Sequence, residues 1–138
     1  MARRAPRAVL MFDGGAEDLA GTVLVVDDDV ALQETLEAVL EFEGYEVVVA
    51  RDGLEALAML TTQRPAVIVL DWAMPRMDGP AFAAALRQRG LHPGIPVLLL
   101  TADGRARQKA AEVGAEGYMA KPFDMTELLD EVARLAAI

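Results

Sequence analysis

Four apolar stretches of this chain each end on a polar residue able to take part in phosphate chemistry. Asp27-Asp28-Asp29 follows Val23-Leu24-Val25-Val26, and Asp71 follows Ala66-Val67-Ile68-Val69-Leu70. Thr101 follows Pro96-Val97-Leu98-Leu99-Leu100, and Lys121 follows Gly117-Tyr118-Met119-Ala120. Carboxylates gathered in one place repel one another and need a cation; hard oxygen ligands suit Mg2+. A zinc site is excluded by composition, since His92 is the single histidine and there is no cysteine. A cation held by carboxylates, beside an ammonium and a hydroxyl, makes an electrophilic cage for a phosphoryl group. A carboxylate inside that cage can attack phosphorus in line and become an aspartyl phosphate. Taken singly, each residue has a plainer reading as a strand-end or capping group. Their recurrence at the ends of different apolar runs is what argues for a site.

Those residues lie far apart in sequence, so the fold has to bring them together. The chain alternates between two periodicities. Thr22 to Val26 is a short β-branched run, followed by Leu32, Leu36, Val39 and Leu40 at helical spacing, closed by Gly44. Glu46 to Ala50 reads as a strand, and Leu54, Leu57, Ala58 and Thr61 as a helical stripe that Pro65 stops. Ala66 to Leu70 is the next strand. Pro80 to Arg89 is a helix with Pro80 at its first position, and Phe82 and Leu86 share one face. After the strand Pro96 to Leu100, the residues Ala106, Ala110 and Val113 mark a helix ended by Gly114. Gly117 to Ala120 is a short strand, and Leu128, Val132, Leu135 and Ala136 line the last helix. Five strand–helix units in alternation argue for an α/β fold with a parallel sheet, its strands apolar because helices cover both faces. In such a sheet the carboxyl ends of the strands share one edge, where ligands bind.

With 138 residues and 54% hydrophobic content, the chain can build one full core. It has no run of about 18 apolar residues, so no membrane span is expected. The absence of cysteine fits a cytoplasmic setting. A net charge of −9, from 22 acidic against 13 basic residues, favours cations or basic protein partners and opposes direct nucleic-acid binding. Residues 1–20 carry no sustained period and read as a disordered tail; Arg3-Arg4 precedes too short an apolar stretch to be an export signal. The sequence stops with its last helix, which leaves two readings: a protein acting alone, or one domain of a larger regulator or hybrid kinase.

From about residue 21 to 138 the chain resembles the receiver domain of two-component response regulators. Val25-Val26-Asp27-Asp28-Asp29 is similar to the family's acidic motif. Leu70-Asp71-Trp72-Ala73-Met74-Pro75-Arg76-Met77-Asp78-Gly79 is similar to its phosphoacceptor motif, and Leu100-Thr101-Ala102 and Lys121-Pro122-Phe123 to the remaining two. The resemblance implies a doubly wound, five-stranded parallel sheet in order 2-1-3-4-5, as in flavodoxin and the chemotaxis receiver. It implies that Asp71 takes the phosphoryl group with Mg2+ as cofactor. Asp28, Asp71 and the Ala73 backbone carbonyl would hold the ion, and Asp27 would act through a bound water. Lys121 would pair with the phosphoryl group, and its bond to Pro122 is cis in the family. Thr101 and Tyr118 resemble the switch pair, Thr101 turning toward the phosphoryl oxygen as the Tyr118 ring moves inward. That would change the face made by the fourth helix, fifth strand and fifth helix.

The implied function is a phosphorylation-dependent signalling switch, not an enzyme beyond its own phosphorylation and dephosphorylation. Its implied partners are a histidine kinase or phosphotransfer protein, a downstream protein target, and a second copy in a phosphorylation-dependent homodimer. Ala73 and Asp103 occupy positions that, by the resemblance, tune dephosphorylation. Two alternatives stand beside this. One is a receiver-fold interaction module that is never phosphorylated; loss of a cage residue would mark it, and none is lost. The other is a haloacid-dehalogenase-type phosphohydrolase with Asp27 as nucleophile, which lacks a second acidic cluster after the lysine. Among the remaining residues, Trp72 reads as partly exposed packing and Tyr118 as a half-buried edge aromatic. His92 reads as a solvated loop residue, and Arg105, Arg107 and Lys109 as a solvated helix face.

Overall fold

The computed structural model describes residues 21–137. The expectation of a disordered tail over residues 1–20 falls outside the described residues. Among the described residues five strands and five helices alternate in chain order: β1 Thr22–Val26, α1 Val30–Phe42, β2 Glu46–Ala50, α2 Gly53–Met59 and β3 Val67–Asp71 form the first half. The second half is α3 Gly79–Gln88, β4 Val97–Thr101, α4 Ala106–Val113, β5 Gly117–Ala120 and α5 Met125–Ala136. The sheet runs β2-β1-β3-β4-β5, every neighbouring pair parallel, as the resemblance implied.

Strand alternation sorts the apolar residues into two cores. Val23, Val25, Val67, Val69, Leu98 and Leu100 face α1 and α5, meeting Leu36, Leu40, Leu128, Val132 and Leu135. Leu24, Val26, Ile68, Leu70 and Leu99 face the other side, meeting Ala56, Leu57, Phe82, Leu86 and Ala110. Burying a side chain of this size contributes about 2–3 kcal/mol. β3 and β4 are buried at every residue, whereas β5 at the sheet edge alternates buried and exposed. The expectation of uniformly buried strands therefore holds for the sheet centre and fails at its rim.

Aspartates start four of the helices. Asp29, Asp52, Asp78 and Asp124 each accept an N–H from the first turn of the helix that follows. α2 is shorter than its sequence pattern suggests. It stops at Met59, six residues before Pro65, and the Thr61 hydroxyl donates back to the Ala58 carbonyl at 2.7 Å. A hydroxyl that bonds its own backbone competes with helix continuation. Among the described residues two X–Pro bonds are cis, Lys121–Pro122 as implied and His92–Pro93 in addition.

Candidate functional site

The carboxyl ends of β1, β3, β4 and β5 lie along one edge of the sheet, and there the predicted residues meet. Asp71 and Thr101 are the last ladder residues of β3 and β4, so parallel pairing itself fixes their depth. Lys121 directly follows β5, and its N–H donates to the Thr101 carbonyl at 2.7 Å. Lys121 Nζ then lies 3.1 Å from Asp71 Oδ1 and 3.2 Å from Asp27 Oδ2. Asp27, Asp28 and Asp71 each offer a carboxylate oxygen within 4.8 Å of one another.

The three consecutive aspartates have three different placements. Asp27 is buried; its Oδ1 accepts the Asp29 N–H at 2.9 Å, and its carbonyl accepts a bond from the Gln33 amide. Asp28 is exposed beside the other two carboxylates. Asp29 turns away to cap α1, accepting the Leu32 N–H at 3.1 Å. The sequence reading gave Asp27 and Asp28 separate roles and Asp29 none, and it missed Gln33, whose place one turn into α1 was its only signal.

Charge is unbalanced here, with three carboxylates around one ammonium. Burial, and after it the negative charge of Asp27, raises the Asp71 carboxyl above the ordinary carboxylate range despite its bond to Lys121. Burial alone would lower Lys121, but the charges of Asp27 and Asp71 more than offset it, so its ammonium is held charged. A site with surplus negative charge and hard oxygen donors fits a small divalent cation and would not fit an anion alone.

The loop after β3 is fixed from below. Gly79 donates its N–H to the Trp72 carbonyl at 2.8 Å, and a Cβ at Gly79 would stand 2.9 Å from Trp72 Cα. Only glycine permits that approach, which sets the loop that carries Ala73. Ala73 itself is exposed. Thr101 is buried, and its Oγ1 accepts the Asp103 N–H in a long contact of 3.4 Å. Tyr118 stands on the outward side of β5 at 44% exposure.

Two of the plain readings need correction. The His92 side chain is only 9% exposed rather than solvated, because its Nε2 meets Glu116 Oε2 at 3.0 Å across the α3–β4 and α4–β5 loops. Arg105 and Arg107 are exposed as expected, but Lys109 is not. It packs 4.8 Å over the Trp72 ring and pairs with Asp103 at 2.7 Å, since the side of α4 it occupies faces the β3 loop. Lys109 first, and then the Arg105 N–H, hold the Asp103 carboxyl below its usual range.

A doubly wound parallel sheet with an acidic, lysine-bearing pocket at its strand ends defines an α/β domain whose ligand site lies at the carboxyl edge of the sheet. The chain belongs to the response regulator receiver domain family, whose model matches residues 23–133. Response regulator MprA of Mycobacterium avium (strain 104) is 44% identical over 118 residues, 84% of this chain and 50% of that protein. The chain spans about half the length of the curated relatives it matches. A putative response regulator from Chloroflexus aurantiacus superposes with a TM-score of 0.79 at 40% identity, covering 86% of this chain and 98% of that one. Response regulator TrrA from Thermotoga maritima, solved in complex with Mg(2+)-BeF, superposes at 0.74 with 32% identity, covering 83% and 97%. Receiver domains are regulators in two-component signalling and not enzymes in the ordinary sense.

Proposed function

We propose that this chain is a phosphorylation-driven switch in which Asp71 accepts a phosphoryl group from a histidine kinase or phosphotransfer protein. The observation that carries this is the placement of Asp71: buried at the end of β3, 3.1 Å from Lys121 Nζ, with Asp27 and Asp28 beside it. Asp28, Asp71 and the Ala73 carbonyl would hold Mg2+, with Asp27 acting through a water. The ion, when bound, neutralises charge on the phosphoryl oxygens. An Asp71 oxygen attacks phosphorus in line, the P–N bond to the donor imidazole breaks, and Lys121 pairs with the transferred group. Asp27 suits the nucleophile's role poorly, because both its oxygens are engaged, by Asp29 N–H and by Lys121. Of Asp71, only Oδ1 is bonded among the described residues. That counts against the phosphohydrolase reading, and the complete cage counts against an unphosphorylated module.

The readout proposed is the Thr101–Tyr118 pair. Tyr118 stands outward here, so an inward swing remains open to it. The cleft between β5 and α5 beside it is lined by Glu127, Asp130, Glu131 and Arg134, the last paired with Glu131. A second copy, or a target with a basic segment, suits such a surface. Among the described residues no helix is long and apolar enough to cross a membrane. Cytoplasmic placement is part of the proposal. The acidic surplus disfavours nucleic-acid binding by this domain and does not bear on the rest of the longer regulators it resembles.

The test is incubation with Mg2+ and acetyl phosphate, or beryllofluoride, followed by Trp72 emission and peptide mass spectrometry. An acyl phosphate at Asp71, lost in Asp71→Asn and without Mg2+, is the expected result. An acyl phosphate at Asp27, or a fluorescence response unchanged in Asp71→Asn, would overturn it.

A further inference from the structure

Lys109 closes a bridge across the mouth of the phosphoacceptor site. Its ammonium lies 4.8 Å over the ring of Trp72, the residue next to Asp71, and 2.7 Å from Asp103 Oδ2. The other Asp103 oxygen, Oδ1, accepts the Arg105 N–H at 2.6 Å. The Asp103 N–H in turn reaches Thr101 Oγ1. The Lys109 side chain is only 16% exposed, so it is packed into this bridge rather than left in solvent. Cation–π contact and an ion pair from one ammonium fix the β4–α4 loop against the β3–α3 loop.

We propose that Lys109 is a positioning residue that sets the lifetime of the phosphorylated state, by occupying the Asp103 carboxylate that would otherwise assist water. The inference rests on the phosphoacceptor reading of Asp71. Loss of the phosphoryl group is hydrolysis: a water oxygen bonds to phosphorus, the P–O bond to Asp71 breaks, and the carboxylate is regenerated with inorganic phosphate. The water's proton must leave as its oxygen attacks, and a carboxylate at the mouth is a suitable acceptor. Asp103 lies two residues past Thr101, its N–H on the Thr101 hydroxyl, yet both its oxygens are already committed.

The experiment compares acyl-phosphate half-lives after removal of phosphodonor, at fixed Mg2+, in the wild-type chain, Lys109→Met, Lys109→Arg, Asp103→Asn and the double variant. Methionine keeps the length of lysine without its charge, and should shorten the half-life roughly tenfold. Arginine, which also stacks and pairs, should restore it. In the Asp103→Asn background the methionine substitution should change little, which a general loosening of the fold would not reproduce. Shortening of equal size in that background, or an unchanged half-life in Lys109→Met, overturns the inference while leaving Asp71 as phosphoacceptor. Absence of acyl phosphate from the wild-type chain instead overturns the phosphoacceptor reading, and this inference with it.

Discussion

Lys121 and Asp71 are fifty positions apart, yet their side chains meet at 3.1 Å. The contact exists because β3 and β5 flank β4, and each ends at the same edge of the sheet. The same ammonium serves Asp27, so it is the one cation among three carboxylates of the described site.

Removing that cation leaves the carboxylates facing each other. Lys121→Met is expected to destabilise the domain by about 2 kcal/mol, below the cost of a fully buried pair because the lysine keeps some water. Urea unfolding measures it. Added Mg2+ should recover much of the loss, since any cation that neutralises the cluster relieves the same repulsion. Recovery equal to that given by NaCl at matched ionic strength would argue against a specific ion site.

Asp71→Asn should act in the opposite direction. The Asp71 carboxyl is raised above its ordinary value, chiefly by burial and by Asp27. A group that binds its proton more tightly when folded loses stability as pH rises from about 4 through its folded-state value. At neutral pH it is ionised and the full penalty is present. The amide variant should therefore be more stable at pH 7 by about 1 kcal/mol, a rise in Tm of roughly 4 °C. The advantage should fade as pH falls toward about 4, where the wild-type carboxyl takes up its proton. Thermal melts across that range decide the matter, and a constant advantage at every pH would contradict the charge argument.

Most of this is legible in the amino-acid sequence. The alternation of Thr22–Val26, Leu32–Leu40 and their successors gave the element order, and parallel pairing gave the meeting of Asp71, Thr101 and Lys121. Termini were less legible. Thr61 continues the apolar spacing of α2, but its hydroxyl bonds Ala58 instead, and a pattern of side-chain types does not report that competition. Pairs between loops were illegible for a different reason. His92 with Glu116, and Lys109 with Asp103 and Trp72, depend on how α4 sits against neighbouring loops, and a charged helix looks the same in sequence whichever way it is turned.

Gly79 is the tightest point of the loop that follows Asp71. A Cβ there would stand 2.9 Å from Trp72 Cα and 3.0 Å from the Asp71 and Trp72 carbonyl oxygens, all of them backbone atoms. No rotamer change relieves such a clash. Gly79→Ala is expected to cost about 3 kcal/mol and to push the loop outward, weakening Mg2+ binding as well. Chemical denaturation and a Mg2+ titration of Trp72 emission test the two effects. Loss of stability with intact Mg2+ affinity would mean that the loop's height does not position the site.

Asp52 and Arg76 form a second paired charge, beside the site rather than within it. Asp52 is buried at 3% exposure and caps α2 through the Glu55 N–H at 2.9 Å, while Arg76 Nε reaches it at 2.8 Å. The Glu55 N–H, and after it Arg76, lower the Asp52 carboxyl below its usual value. The sign here is the reverse of that for Asp71: its contribution is present above about pH 4 and is lost as pH falls through the lowered folded-state value. Arg76 makes this bond from a left-handed backbone position, φ 66°. A non-glycine residue there costs about 1–2 kcal/mol, so the ion pair is formed at the expense of local strain. Two substitutions separate the terms. Arg76→Ala loses the guanidinium and keeps the strain, whereas Arg76→Gly loses both. The glycine variant should be the more stable of the two by about 1 kcal/mol, even though glycine gains more freedom on unfolding. Equal stabilities would show that the loop relaxes out of the left-handed region once the guanidinium is gone, and that Asp52 is what holds Arg76 there.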